Sequence, residues 1–169
     1  MGSQQVRGAE EFCHAVWPRL AASLGLYCND AGVGEELAQE ALVRAWARWD
    51  TVSDLACPES WVYSVGLNLA RSRFRRARAE RRAIGRLGPP RESPTTASAT
   101  DAVAVRAAVA ALPERQRAAL VMRYFADLPV SDVAAAMDCA DGTVRSLTSQ
   151  AIERLRQGFE IELVDEDLQ

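Results

Sequence analysis

Between Arg71 and Arg86, eight of sixteen residues are arginine and the only acid is Glu80, which gives that segment a charge of +7. The chain of 169 residues carries −3 in total, so the remainder sums to −10. Lysine is absent throughout, so the use of arginine says little by itself, and its clustering is the informative part. Charges of one sign at this density repel, and a polyanion relieves the repulsion. Just ahead of the block stand Trp61, Tyr63 and Asn68. Aromatic rings stack unpaired bases, each stack contributing about 1–3 kcal/mol, while arginines follow the phosphate backbone. Asn and Arg also hydrogen-bond to base edges. Trp61, Tyr63, Asn68, Arg71, Arg73, Arg75 and Arg76 are therefore candidate contacts to separated nucleic-acid strands. For Trp61 the competing reading is a core residue facing Trp46 or Trp49.

A second constellation lies between Val130 and Leu155. Val133, Ala134 and Met137 face inward from a short helix with Ser131 as its N-cap. A turn, DCADG, follows, and then Val144, Leu147, Ala151 and Leu155 recur at i, i+3, i+7 and i+11. Two helices joined through a Gly-containing turn predict a helix-turn-helix, whose second helix fits the major groove. The side chains off that stripe, Thr143, Arg145, Ser146, Thr148 and Ser149, can donate hydrogen bonds and none is acidic. Arg145 is the only base in this half of the helix, so backbone neutralisation, the main source of affinity for DNA, is thin here.

The elements that must position these groups are helical. Apolar residues recur with helical period on both sides of residues 87–100, LGPPRESPTTASAT, which hold three prolines and almost no apolar bulk. Such a segment cannot offset its ordering entropy and reads as a flexible linker. The expected fold is all-α: two small helical domains, residues 9–86 and 101–159, followed by an acidic tail, 160–169. In the first, helices are expected over residues 10–27 and 34–49, with a loop over 50–59. Ser60 is then expected to cap a third helix that begins near Trp61. In residues 34–49 an apolar stripe leaves Glu36, Glu40, Arg44 and Arg48 on the outer face. In the second domain, helices are expected over 101–111, from Leu112-Pro113 onward, over 130–137 and over 143–159. Leu120, Val121, Tyr124 and Phe125 form the expected buried stripe of the second of these.

Other chemistries fit poorly. No run of about 18 apolar residues spans a membrane, and the N-terminus lacks a signal-peptide pattern, so a cytoplasmic protein without membrane insertion is expected. Cys13, Cys28, Cys57 and Cys139 are far apart and His14 is the sole histidine, which argues against a metal site. No Gly-rich phosphate loop, cofactor motif or nucleophile with a matched base stands out, so no enzyme and no cofactor are expected.

Taken in order, GEELAQEALVRAW, SWVYSVGLNLARSRFRR, LPERQRAALVMRYF and DGTVRSLTSQAIERLR resemble the bacterial extracytoplasmic-function (ECF) sigma factors, which retain regions 2 and 4 only. The resemblance spans about residues 9–158. It implies binding to core RNA polymerase, through the β′ clamp and the β flap, and promoter recognition. Glu36, Gln39, Glu40 and Arg44 would dock on the clamp. Trp61, Tyr63, Asn68 and the arginines from Arg71 onward would hold the melted −10 element. Thr143, Arg145, Ser146, Thr148 and Ser149 would read the −35 element. An anti-sigma factor is a further candidate partner. The chain departs from the family in Leu147, Thr148 and Gln150, where basic residues are usual, and in Cys57-Pro58 before Trp61. Two other readings remain at this stage: a stand-alone helix-turn-helix regulator, and a sigma-like interaction protein that does not initiate transcription.

Overall fold

The computed structural model describes residues 3–84 and 100–166, all of whose regular structure is helical. Helix α1 runs from Ser3 to Cys28 and ends where Asn29 turns left-handed, with φ 56°. The short reversal lets Asp30 cap α2, Ala31–Ala47, by accepting a hydrogen bond from Val33 N at 3.0 Å. The first expected helix is thus longer at its start, and the second begins three residues early because the cap lies ahead of the apolar stripe. A single turn, α3 (Trp49–Val52), occupies part of the expected loop, and its Trp49 packs on Phe12 with ring centroids 5.0 Å apart.

Helices α1 and α2 touch backbone to backbone. A Cβ on Gly34 would come within 2.3 Å of Gly25 N and 2.4 Å of Gly25 Cα, so only glycine fits there. Helix α4, Pro58–Ile84, lies across this pair. It starts on Pro58, whose missing N–H costs nothing in a first turn. Ser60 is therefore inside the helix and is not its N-cap; its hydroxyl instead donates to the carboxylate of Asp132.

The second module comprises α5 (Thr100–Ala111), α6 (Glu114–Leu120), a π turn (Val121–Phe125), α7 (Val130–Met137) and α8 (Asp141–Glu166). The π turn overturns the expected stripe. Ala126 N bonds to Val121 O at 3.0 Å, a five-residue step. Ala126 therefore takes the inward position and is 2% exposed, while Tyr124 and Phe125 swing out to 60% and 46%. Pro129, not Ser131, precedes the first turn of α7. The turn between α7 and α8 is also tighter than expected. Asp138 supplies the left-handed residue, φ 51°, that closes α7, and Asp141 and Gly142 already belong to α8. Residues expected as an acidic tail continue α8 as far as Glu166. The expected linker lies outside the described residues except for Thr100, which opens α5.

The two modules are not held apart. Helix α7 packs on α4, while α5 and the π turn pack on α1. One apolar core is continuous through both, from Leu20, Tyr27 and Leu67 to Val121, Met122 and Val133. Polar ties cross the boundary. Arg117 donates to Tyr27 O at 3.0 Å, and the Tyr27 hydroxyl donates to Glu114 at 3.4 Å. The other arm of Arg117 holds Leu112 O at 3.1 Å. The arginine-rich part of α4 is not covered by this packing; Arg73, Arg75, Arg76 and Arg78 remain exposed.

Candidate functional site

Three surfaces carry the chemistry. On α4, Trp61, Asn68, Ser72 and Arg75 recur at i, i+7, i+11 and i+14, which sets them along one face of the helix. Asn68 and Arg75 are exposed, Trp61 is half-buried, and Arg75 donates to the Ser72 hydroxyl at 2.9 Å. Arg76 flanks this ribbon in solvent. Arg71 flanks it half-buried beside the Tyr27 hydroxyl, whose proton is held up to about 12, chiefly by burial and next by the charge of Glu114. Arg73 turns the other way and pairs with Glu36 of α2 at 3.0 Å.

Tyr63 is the exception among the α4 residues. It is 2% exposed and sits at the junction of the modules with Leu24, Leu67 and Met122. Its hydroxyl faces Ser23 without a well-formed hydrogen bond, and burial raises it to about 12. It cannot stack on a base in this arrangement. The signal was present in the sequence: Val62, Tyr63, Gly66, Leu67 and Ala70 repeat at helical spacing and are all buried. Trp61 is half-buried and packs against the core.

On α2, Glu36, Gln39, Glu40 and Arg44 are exposed along one face, and Arg44 pairs with Glu40 one turn away. Val43 completes this face at 61% exposure, an apolar centre that its charged and polar neighbours do not signal by residue type. Its spacing from Glu36, Gln39 and Glu40 was the available clue.

On α8, Arg145, Ser146 and Ser149 are exposed and Thr143 is half-buried. Thr148 is not part of this surface. It is 8% exposed, and its hydroxyl donates to Val144 O at 2.7 Å. It lies four residues beyond Val144, on the buried stripe. Arg145 stands 3.9 Å from Asp141, a loose pair at the helix start. Beside this surface, α8 and the π turn form an open cleft of about 390 Å³ that includes Arg123, Tyr124 and Arg156; the sequence marks neither arginine as a candidate, and it places Tyr124 in a buried stripe.

Among the described residues, no group of three or more His, Cys, Asp or Glu is arranged to hold a metal, and no helix is long and apolar enough to cross a membrane.

Comparison with known proteins connects these surfaces. Residues 14–80 match the family model for sigma-70 region 2, and residues 102–155 match that for sigma-70 region 4. The ECF RNA polymerase sigma factor SigL of Mycobacterium tuberculosis is 30% identical over 152 residues, covering 84% of this chain and 85% of that protein. This chain belongs to the ECF sigma factors. The ECF sigma factor EcfG of Rhodopseudomonas palustris is 31% identical over 143 residues, 83% of this chain and 79% of that protein. The RNA polymerase sigma-E factor of Streptomyces avermitilis is 26% identical and spans 95% of this chain and 89% of its own. A solved structure of the sigma factor RpoE in complex with the anti-sigma factor NepR, from Bartonella quintana, superposes with a TM-score of 0.77 at 25% identity. It covers 90% of this chain and 96% of that one. As a sigma factor, the chain binds core RNA polymerase and promoter DNA and directs promoter-specific transcription. A stand-alone regulator is not favoured.

Proposed function

We propose that the three surfaces divide the work of this sigma factor: α2 docks on polymerase, α4 holds the melted −10 element, and α8 reads the −35 element. The observation that carries this reading is the α4 ribbon, in which the Trp61 ring, the Asn68 amide and the Arg75 guanidinium share one exposed face beside Arg71 and Arg76. Stacking, base-edge hydrogen bonding and phosphate neutralisation are the three contacts that a separated strand requires. Over fourteen residues that face is about 21 Å long, the length of several unstacked nucleotides.

The α2 face supports the docking role, with Val43 as an apolar centre ringed by Glu36, Gln39, Glu40 and Arg44. An apolar centre with a charged rim is the usual anatomy of a protein interface. For the −35 element, Thr143, Arg145, Ser146 and Ser149 are the available readers. The chain acts as a cytoplasmic initiation factor with no catalysis of its own, through residues 9–86 and 101–159 as its two working units.

The packed arrangement has a consequence on DNA. Elements some 25 base pairs apart are separated by about 85 Å at roughly 3.4 Å per pair. A compact chain of this length has a radius of gyration of about 15 Å, so the modules must part when both elements are held. Polymerase binding through α2 and the second module is the step that separates them. A similar sigma factor has been solved in complex with an anti-sigma factor, and an anti-sigma factor that bound the packed form of this chain would oppose that step.

Run-off transcription with purified core polymerase tests the reading. The chain should convert core enzyme into one that starts at discrete sites. DNA binding without polymerase and no transcript would point to a plain regulator. Polymerase binding without a transcript would point to an interaction protein.

A further inference from the structure

Residues 53–57 run exposed from α3 to the start of α4 at Pro58, so this loop borders the Trp61 end of the proposed strand-holding face. Its far end is tied to α4. The Ser60 hydroxyl, its own proton committed to Asp132, accepts from the Cys57 thiol at 2.9 Å. Its near end rests on α3, a single turn of four residues. Thr51 N and Val52 N bond to Arg48 O, and Ser53 N to Trp49 O at 2.8 Å. A turn this short does not hold its shape by itself and needs tertiary support.

The start of α1 supplies that support. Gln5, Gly8 and Phe12 fall at i, i+3 and i+7, along one face of the helix. The Gln5 amide donates to Asp50 Oδ1 at 2.8 Å. The Phe12 ring packs on Trp49, with centroids 5.0 Å apart and planes inclined at 42°. Between them Gly8 lets the helix come close, since a Cβ there would already meet the Trp49 indole nitrogen at 3.5 Å. All three precede residues 14–80, the part that matches region 2, and none belongs to the α2, α4 or α8 surface.

We propose that the first three turns of α1 form a bracket that sets the 53–57 loop in place for a separated strand. Gln5 and Phe12 are its positioning residues, acting through Asp50 and Trp49. The inference rests on the −10 reading of α4 and adds a support on the far side of the loop. Without it, a strand arriving beside Trp61 would have to order five exposed residues, an entropic cost that weakens association. A loop fixed beforehand escapes that cost.

The test uses the full chain bound to core polymerase, on a promoter duplex selected by that complex from a random-sequence pool. Permanganate reactivity of unpaired thymines is read beside polymerase affinity. Gln5→Ala should lower reactivity about fivefold, the effect of one hydrogen bond, at unchanged polymerase affinity, and Phe12→Leu should act in the same direction. Gln5→Glu should lower it too, because two carboxylates then meet. Adding Asp50→Asn to Gln5→Glu should restore it, since donor and acceptor change places at constant net charge. Duplexes selected afresh by the Gln5→Ala holoenzyme should show a flatter base preference within the melted element, which a merely structural role would not produce.

Wild-type reactivity and base preference in Gln5→Ala overturn the proposal, as does a double variant that stays impaired. A matching loss of polymerase affinity also overturns it and makes these contacts general support for the fold. Arg75→Ala with Arg76→Ala separates the bracket from the reading beneath it. If that variant opens poorly while the Gln5 and Phe12 variants behave as wild type, the bracket alone fails. If none of them loses reactivity, the −10 reading of α4 fails as well.

Discussion

Arg73 of α4 reaches across to Glu36 of α2 and pairs with it at 3.0 Å, so one arginine of the proposed strand-holding helix is tied to one acid of the proposed docking face. Both side chains are more than half exposed, 51% and 67%. Such a pair contributes less than about 1 kcal/mol, so polymerase can take Glu36 from Arg73 at little cost and leave that arginine free for DNA. Glu36→Gln should shift folding stability by less than about 1 kcal/mol while reducing affinity for core polymerase. Thermal melting and a binding titration on the same preparation distinguish these effects. Unchanged polymerase affinity would remove Glu36 from the docking face.

Tyr63 belongs to the core between the modules. Tyr63→Phe deletes a buried hydroxyl that lacks a good partner, so it should leave stability unchanged or slightly higher and leave promoter opening intact. Tyr63→Ala removes a ring from a packed site and should cost about 3–5 kcal/mol. Chemical denaturation of both variants, with opening assayed for the first, checks this. A loss of opening by Tyr63→Phe at full stability would return Tyr63 to the DNA surface.

Gly34→Ala should be among the most damaging single-atom additions in the chain. The new methyl would meet the Gly25 backbone, which cannot yield as a flexible side chain does. Overpacking of this kind costs about 1–3 kcal/mol or more, and a denaturant melt of the variant reads it directly.

These cases mark what the sequence could and could not reveal. Helices α2, α4 and α8 follow from apolar spacing, and the helix-turn-helix follows from the break between Met137 and Val144. The π turn was not legible, because VMRYF continues the helical pattern of α6 and only the five-residue bond to Ala126 reveals the added residue. Thr148 and Tyr63 were read by residue type, as a donor and a stacking ring, although their spacing placed them on buried stripes. The packing of the modules was hidden for another reason. Its surfaces are built from small or flexible residues such as Ala118, Val121 and Met122, which look the same whether a helix faces its own module or another.

Alkaline pH should loosen the same junction. Burial holds the Tyr27 and Tyr63 hydroxyls and the Cys28 thiol at about 12, above their ordinary values of 10.0 and 9.0. Folding therefore favours their neutral forms. That stabilisation is complete below about pH 9 and declines as the pH climbs toward 12, because the unfolded chain releases its protons first. Melting temperature measured against pH should be level on the acid side of 9, as far as these groups are concerned, and fall beyond it. Tyr63→Phe should make the fall shallower.

The exposed arginines of α4 are the proposed grip on separated strands. Arg75→Ala combined with Arg76→Ala changes two side chains that lie in solvent and outside the module junction. The direct measurement is permanganate reactivity of unpaired promoter thymines, alongside affinity for core polymerase. Reactivity should fall by at least about tenfold, the equivalent of about 1.4 kcal/mol, at unchanged polymerase affinity. Full reactivity in the double variant, or an equal loss of polymerase binding, would contradict that role.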